Sequence, residues 1–222
     1  MKTFMLRILS LFFGILLYSI GIVITIKANV GYAPWDVFHV GLSLTTGTSI
    51  GFASIITGIV LIIFVTIAGE KVGIGTLVNI LCIGLFIDLI IWLDLIPLAE
   101  NLVIGIAMLL AGLFIISLGS YFYIKSAFGA GPRDNLMVVL NRKTKLPVGV
   151  CRSFVELIAT LVGWFLGGMV GVGTIISVVA IGFFIQAVFA IFKFKAAEVK
   201  HETILQTFRV LQDIIKRKKT FT

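Results

Sequence analysis

Two stretches decide how the chain is read: Lys27-Ala28-Asn29-Val30-Gly31-Tyr32-Ala33-Pro34-Trp35-Asp36 and Lys125-Ser126-Ala127-Phe128-Gly129-Ala130-Gly131-Pro132-Arg133-Asp134. Lys, Gly, Pro and Asp fall at the same spacing in both, 98 residues apart. The match spreads outward without a gap. Gly14, Ser19 and Gly21 meet Gly112, Ser117 and Gly119, and Gly69-x2-Val72-Gly73-x-Gly75-Thr76 meets Gly167-x2-Val170-Gly171-x-Gly173-Thr174. Phe4–Ile91 set against Leu102–Phe189 gives 23 identities in 88 pairs. Many are Gly, Pro, Lys or Asp, which a shared apolar composition does not produce. The chain is an internal duplication.

What is duplicated is a set of membrane helices. The chain has 222 residues, 59% hydrophobic and 13% charged, where a soluble domain has about 45–50% and about 25%. A span needs about 20 mostly apolar residues. Six stretches meet that need: Ile8–Ile26, Ile50–Ala68, Thr76–Leu93, Leu102–Ile124, Val148–Leu166 and Thr174–Phe192. The first is long and lacks an A-x-A-like cleavage site, so it reads as a retained helix. With the N-terminus in the cytoplasm, 17 of the 18 Lys and Arg fall in cytoplasmic segments and only Lys27 lies outside, as the positive-inside rule requires. Trp35, Trp92 and Trp164 fall near the outer interface. The formal charge of +8 is thus a topology signal, not a nucleic-acid one. Three spans per unit is odd, so the second copy begins on the opposite side, and the repeats are inverted. That architecture is common in secondary transporters, whose sites lie near the midplane at the repeat interface. The expected fold is all-α: six transmembrane helices as two inverted three-helix repeats, residues 1–98 and 99–195, followed by a basic amphipathic cytoplasmic tail, 196–222.

Between the first and second spans of each unit lies a short segment, Pro34–Thr46 and Pro132–Thr144. Proline suits the first helical position, and Asp36 and Asp134 sit in the first turn, where negative charge meets the positive helix end. Thirteen residues at about 1.5 Å each reach only ~20 Å, short of a bilayer core of about 30 Å. Each is a half-helix, re-entrant or interfacial. Either the pair shapes a substrate or ion site, or Pro and Asp cap surface helices.

Ionisable residues inside spans default to a functional hypothesis. Asp88 lies in the third span, with Gln186 as its repeat partner; it either couples a proton or cation or snorkels outward. Arg152 and Glu156, four residues apart on one helix face, read as an intramembrane ion pair. Thr76 and Thr174 either line the interface between halves or bond helices together. The candidate pathway is therefore Asp36, Asp134, Asp88, Gln186, Pro34, Pro132, Thr76 and Thr174. Cys82 and Cys151 lie in apolar runs, which argues against a disulfide framework. No zinc-protease, nucleophile-elbow or phosphate-loop motif is present, so neither catalysis, a metal nor a cofactor is expected. In the tail, Ile204, Leu205, Phe208, Leu211 and Ile215 fall on one face, ahead of Lys216-Arg217-Lys218-Lys219. Such a helix lies on the membrane surface or docks a cytoplasmic partner or a second copy.

The words Gly31-Tyr32-Ala33-Pro34-Trp35-Asp36 and Gly129-Ala130-Gly131-Pro132-Arg133-Asp134, with Gly171-Val172-Gly173-Thr174, resemble the YczE/YyaS/YitT family of bacterial membrane proteins, and its YczE-like branch most closely. The resemblance covers roughly Ile8–Phe192 and leaves out the tail. It implies a location in the bacterial cytoplasmic membrane and carries no functional residue with it. The functions open at this point are transport of a small molecule, ion or amphiphile, or a non-transporting scaffold acting through its basic loop and tail. The partners are the lipid bilayer and such a substrate, a cytoplasmic partner or a homodimer, with no nucleic acid.

Overall fold

The computed structural model describes residues 2–146, 148–199 and 201–210, which form helices and connecting loops without strands. In chain order the helices are α1 (Lys2–Lys27), α2 (Pro34–Thr46), α3 (Ile50–Ile67), α4 (Ile74–Leu93), α5 (Leu102–Lys125), α6 (Pro132–Thr144), α7 (Val148–Phe165) and α8 (Val172–Ile191). Among the described residues, α1, α3, α4, α5 and α8 are long and apolar enough to cross a membrane. The sequence counts six such stretches. The sixth coincides with α7, which has the length of α3 and carries Arg152 and Glu156.

The bundle is organised around the crossing of α1 and α5. Gly14 lies against Gly119 and Tyr123, and Gly21 lies against Gly112 and Ile116, so the two helices run antiparallel with their backbones almost touching. In lipid there is little hydrophobic drive between helices, and small residues supply association through close packing. Ile15, Val23, Leu109 and Leu113 fill the space around this crossing. Helix α4 packs on α1, and α8 packs on α5. The short helices cross over: α2 rests on α7 through Gly41 and Gly163, and α6 rests on α3 around Val65, Leu136 and Val139.

The two short helices occupy the ranges that Pro and Asp mark in the sequence. Each begins with proline and ends at a left-handed residue, Gly47 (φ 70°) or Lys145 (φ 58°). Ahead of each, the chain turns at a glycine with positive φ, 107° at Gly31 and 146° at Gly129, a conformation open to glycine at little cost. These turns are pinned to the opposite half. The Gly173 amide donates to the Val30 carbonyl at 2.7 Å, and the Gly75 amide to the Phe128 carbonyl at 2.9 Å. Residues 30 and 128, and residues 75 and 173, stand at the same 98-residue offset as the repeat.

The tail begins docked against the bundle. After a 3-10 turn at Ala196–Glu198, the Glu202 amide donates to the Ala127 carbonyl at 2.8 Å and the Ile204 amide to the Val72 carbonyl at 3.3 Å. The Glu202 carboxylate pairs with Arg7 at 2.7 Å. Buried turn carbonyls need partners, and the tail backbone supplies them. Helix resumes at Ile204 and runs to Val210. The remainder of the predicted amphipathic helix, including Leu211, Ile215 and Lys216–Lys219, lies outside the described residues.

Candidate functional site

The crossed short helices place their N-terminal turns face to face inside the bundle. In α2, Pro34, Asp36, Val37 and His39 are buried while Leu44–Gly47 are exposed; in α6, Gly131, Pro132, Leu136 and Met137 are buried while Arg142–Lys145 are exposed. Both helices therefore enter the protein with their positive ends innermost. The Arg133 guanidinium lies over the Trp35 ring, 4.7 Å from its centroid. These two residues are repeat equivalents, and they meet where the halves meet.

Around them is a cavity of about 90 Å³, adjoined by a second of about 60 Å³, with Tyr18, Trp35, Arg133, Arg152 and Glu156 lining both. His39, Asn79, Tyr123 and Asp134 complete the walls of the first, and Pro34, Asp36 and Ser177 those of the second. The charges are arranged in partnered sets. Arg152 Nε meets Glu156 Oε1 at 2.8 Å. The Tyr123 hydroxyl donates to Asp134 Oδ2 at 2.8 Å. Asp36 Oδ1 faces His39 Nδ1 at 3.9 Å, too long for a hydrogen bond but close enough for charge to be felt. Two buried polar atoms here have no partner, Trp35 Nε1 and His39 Nε2. Arg133 makes no ion pair among the described residues. An unmatched buried donor or acceptor costs about 1–3 kcal/mol, and both of these atoms belong to residues of the cavity wall.

Of the residues singled out in the sequence, Asp36, Asp134, Pro34, Pro132, Arg152 and Glu156 line these cavities. The others stand elsewhere. Asp88 accepts from the Ser49 hydroxyl and, at 2.8 Å, from the Gly51 amide, so its carboxylate holds the start of α3 against α4. The Thr76 hydroxyl donates to the Ala130 carbonyl at 2.6 Å, and Thr174 accepts from the Gly171 amide at 3.2 Å. Both threonines buttress the turns ahead of the short helices. Gln186 is exposed on α8, away from the cavity. The sequence reading assigns Arg133 to a cytoplasmic basic segment and Trp35 to an interfacial belt, and the structure moves both to the centre of the site. Their shared position one residue after the duplicated proline was the available signal.

Residues 5–190 match a protein family described as a family of unknown function, DUF6198. The chain belongs to the DUF6198 family. The match takes in α1 through α8 almost entirely, and with them every residue of the cavity; it stops short of the docked tail. Among relatives of this family member, the Bacillus subtilis uncharacterized membrane protein YczE is 32% identical over 179 residues, covering 79% of this chain and 81% of the relative. A Haemophilus influenzae uncharacterized protein is 31% identical over 79% of this chain and 80% of its own length. The B. subtilis uncharacterized protein YyaS is 29% identical over 74% of this chain and 83% of its own. No solved structure matches the chain. With its apolar helices and these relatives, the DUF6198 chain is a multi-pass helical membrane protein.

Proposed function

We propose that the chain is a small transporter-like protein of the bacterial cytoplasmic membrane, moving a small molecule, ion or amphiphile. In this reading α7 is the sixth span, the halves are inverted repeats, and both chain ends are cytoplasmic. The observation that carries it is the charged cavity where the two half-helix N-termini converge; discontinuous helices at a repeat interface are how many secondary transporters build their sites. Support for the inversion comes from contacts that recur at the repeat offset: Gly14 on Gly119 with Gly21 on Gly112, and Val30–Gly173 with Phe128–Gly75. The one-sided Lys and Arg distribution supports the orientation. Charged groups at membrane depth are costly and are kept where they act on a pathway.

A ligand raises thermal stability by mass action on the state it binds. Purified protein screened against metabolites, ions and amphiphiles is expected to show a concentration-dependent rise in Tm that the Asp36→Asn/Asp134→Asn double variant lacks. If no compound shifts the wild type, the transport reading is lost. The alternative is a non-transporting scaffold, and the exposed Leu205 and Phe208 of the tail favour it. Removing residues 196–222 abolishes function on that reading, whereas on the transport reading the cavity variants do so.

A further inference from the structure

The polar cavity has an apolar neighbour. A groove of about 500 Å³ runs between α3 and α7, with α2 and α6 at its back, lined by side chains such as Phe38, Val60, Phe64, Leu140, Phe154 and Ile158. Trp35, Thr57 and Leu61 line both the groove and the 90 Å³ cavity. The two spaces therefore share a wall of three side chains, with Arg133 at the cavity end. Drug-sized ligands fill about 300–1,000 Å³. The cavity alone is far smaller than that, and cavity plus groove lies within the range.

The polar end has surplus donors. Asp134 is held by Tyr123 and Glu156 by Arg152, while Asp36 stands 3.9 Å from His39. Among the described residues, Arg133 has the Trp35 ring and no carboxylate within ion-pair distance, and the Trp35 indole N–H is unpartnered. His39, 1% exposed, also presents an unpartnered Nε2. Two helix N-termini converge on this space, and such ends favour anions. We propose, resting on the transport reading above, that the site takes a single-chain amphiphile with a small anionic head, of the fatty-acid kind: its carboxylate meets Arg133 and the Trp35 N–H, and its chain lies in the α3–α7 groove.

The test uses the full chain in nanodiscs with Trp92→Phe and Trp164→Phe, leaving Trp35 as the sole tryptophan of three. The probe is 9,10-dibromostearate, whose bromines quench indole emission. Saturable quenching of Trp35 is expected, displaced by stearate and not by acetate or octadecylamine. Arg133→Gln raises the half-saturating concentration roughly tenfold, the scale of one lost charge-assisted contact, while Arg133→Lys retains most of the affinity and shows that the fold tolerates change there. Displacement by acetate as effective as by stearate overturns the amphiphile and leaves a transport site for small soluble anions. Displacement by octadecylamine, or quenching indifferent to Arg133→Gln, overturns the anionic head while the transport reading stands. Quenching that never saturates, with a stable dimer shielding Trp35, puts a second copy in the groove and overturns the proposal. If in addition the thermal-shift screen finds no ligand of any class, both readings fall together.

Discussion

The seam between α3 and α4 has its repeat counterpart between α7 and α8, and among the described residues only the first is tightly packed. At α3–α4, Gly51 and Gly84 are in backbone contact, and Asp88 bonds Ser49 and the Gly51 amide. At α7–α8, Gly182 has nothing within 4 Å of where a side chain would begin, and Gln186 replaces the carboxylate. The smaller of the two central cavities is lined by residues of both α7 and α8, Arg152, Glu156, Ser177 and Ile181. The difference teaches that, among the described residues, the carboxylate latch belongs to the first half alone. On the transport reading these seams are two gates of one pathway, and the molecule is open on the side that holds α7 and α8.

The comparison is broken most directly with glycine variants. Gly84→Ala places a methyl into Ile55 and the Gly51 carbonyl, and overpacking of this kind costs about 1–3 kcal/mol. Gly182→Ala meets open space and gains up to about 1 kcal/mol of helix propensity. Thermal unfolding in one detergent is expected to move in opposite directions for the two variants; equal losses would show that the second seam is packed as tightly as the first. Asp88→Asn comes next. It weakens two hydrogen bonds to a charged acceptor, each worth about 1.5–3 kcal/mol, so α3 and α4 loosen and a cysteine reagent reaches Cys82 on α4 faster. Unchanged labelling would mean that the carboxylate does not hold the seam.

These residues also show where the sequence is legible. The half-helix starts are plain because Pro at the first position and Asp in the first turn are local signals, read without knowing any partner. Asp88 is legible as a costly intramembrane charge, but its use as a brace for α3 depends on which helix lies beside it, and periodicity does not say. Arg133 misleads for a similar reason. A charge count assigns residues to segments between spans, whereas α6 starts inside the protein, so its first arginine is central and its last basic residues, Arg142 and Lys143, are exposed. The tail carries a clear apolar stripe, yet backbone bonds from Glu202 and Ile204, invisible to any pattern, fix where it starts.

Two smaller effects sharpen the same contrast from the end of the bundle where the tail docks, bracing the first half at Val72 and Gly73. Arg7→Gln removes the half-buried pair with Glu202 and costs up to about 1 kcal/mol, seen as faster proteolysis after Lys195 without a large change in global unfolding. His201 adds a pH term. Burial lowers its pKa, against a smaller opposing pull from Asp134, so the docked state binds fewer protons than the undocked one. Its contribution is therefore complete above the undocked value of about 6.5 and is lost as pH falls from there through the lower docked value. Hydrogen exchange of the Glu202 and Ile204 amides is expected to accelerate between pH 7 and pH 6, after correction for intrinsic rates, and His201→Gln removes that dependence.

The crossing of α1 and α5 also sets a timetable for assembly. Gly14 waits for Gly119, which leaves the ribosome about 100 residues later; at about 5–20 residues per second this takes roughly 5–20 s. During that interval α1 is inserted with its glycine-lined face unpaired, and the lipid, or whatever attends insertion, is its only neighbour. A premature stop between the halves would strand that face, so quality control of this protein begins with a helix made long before its partner.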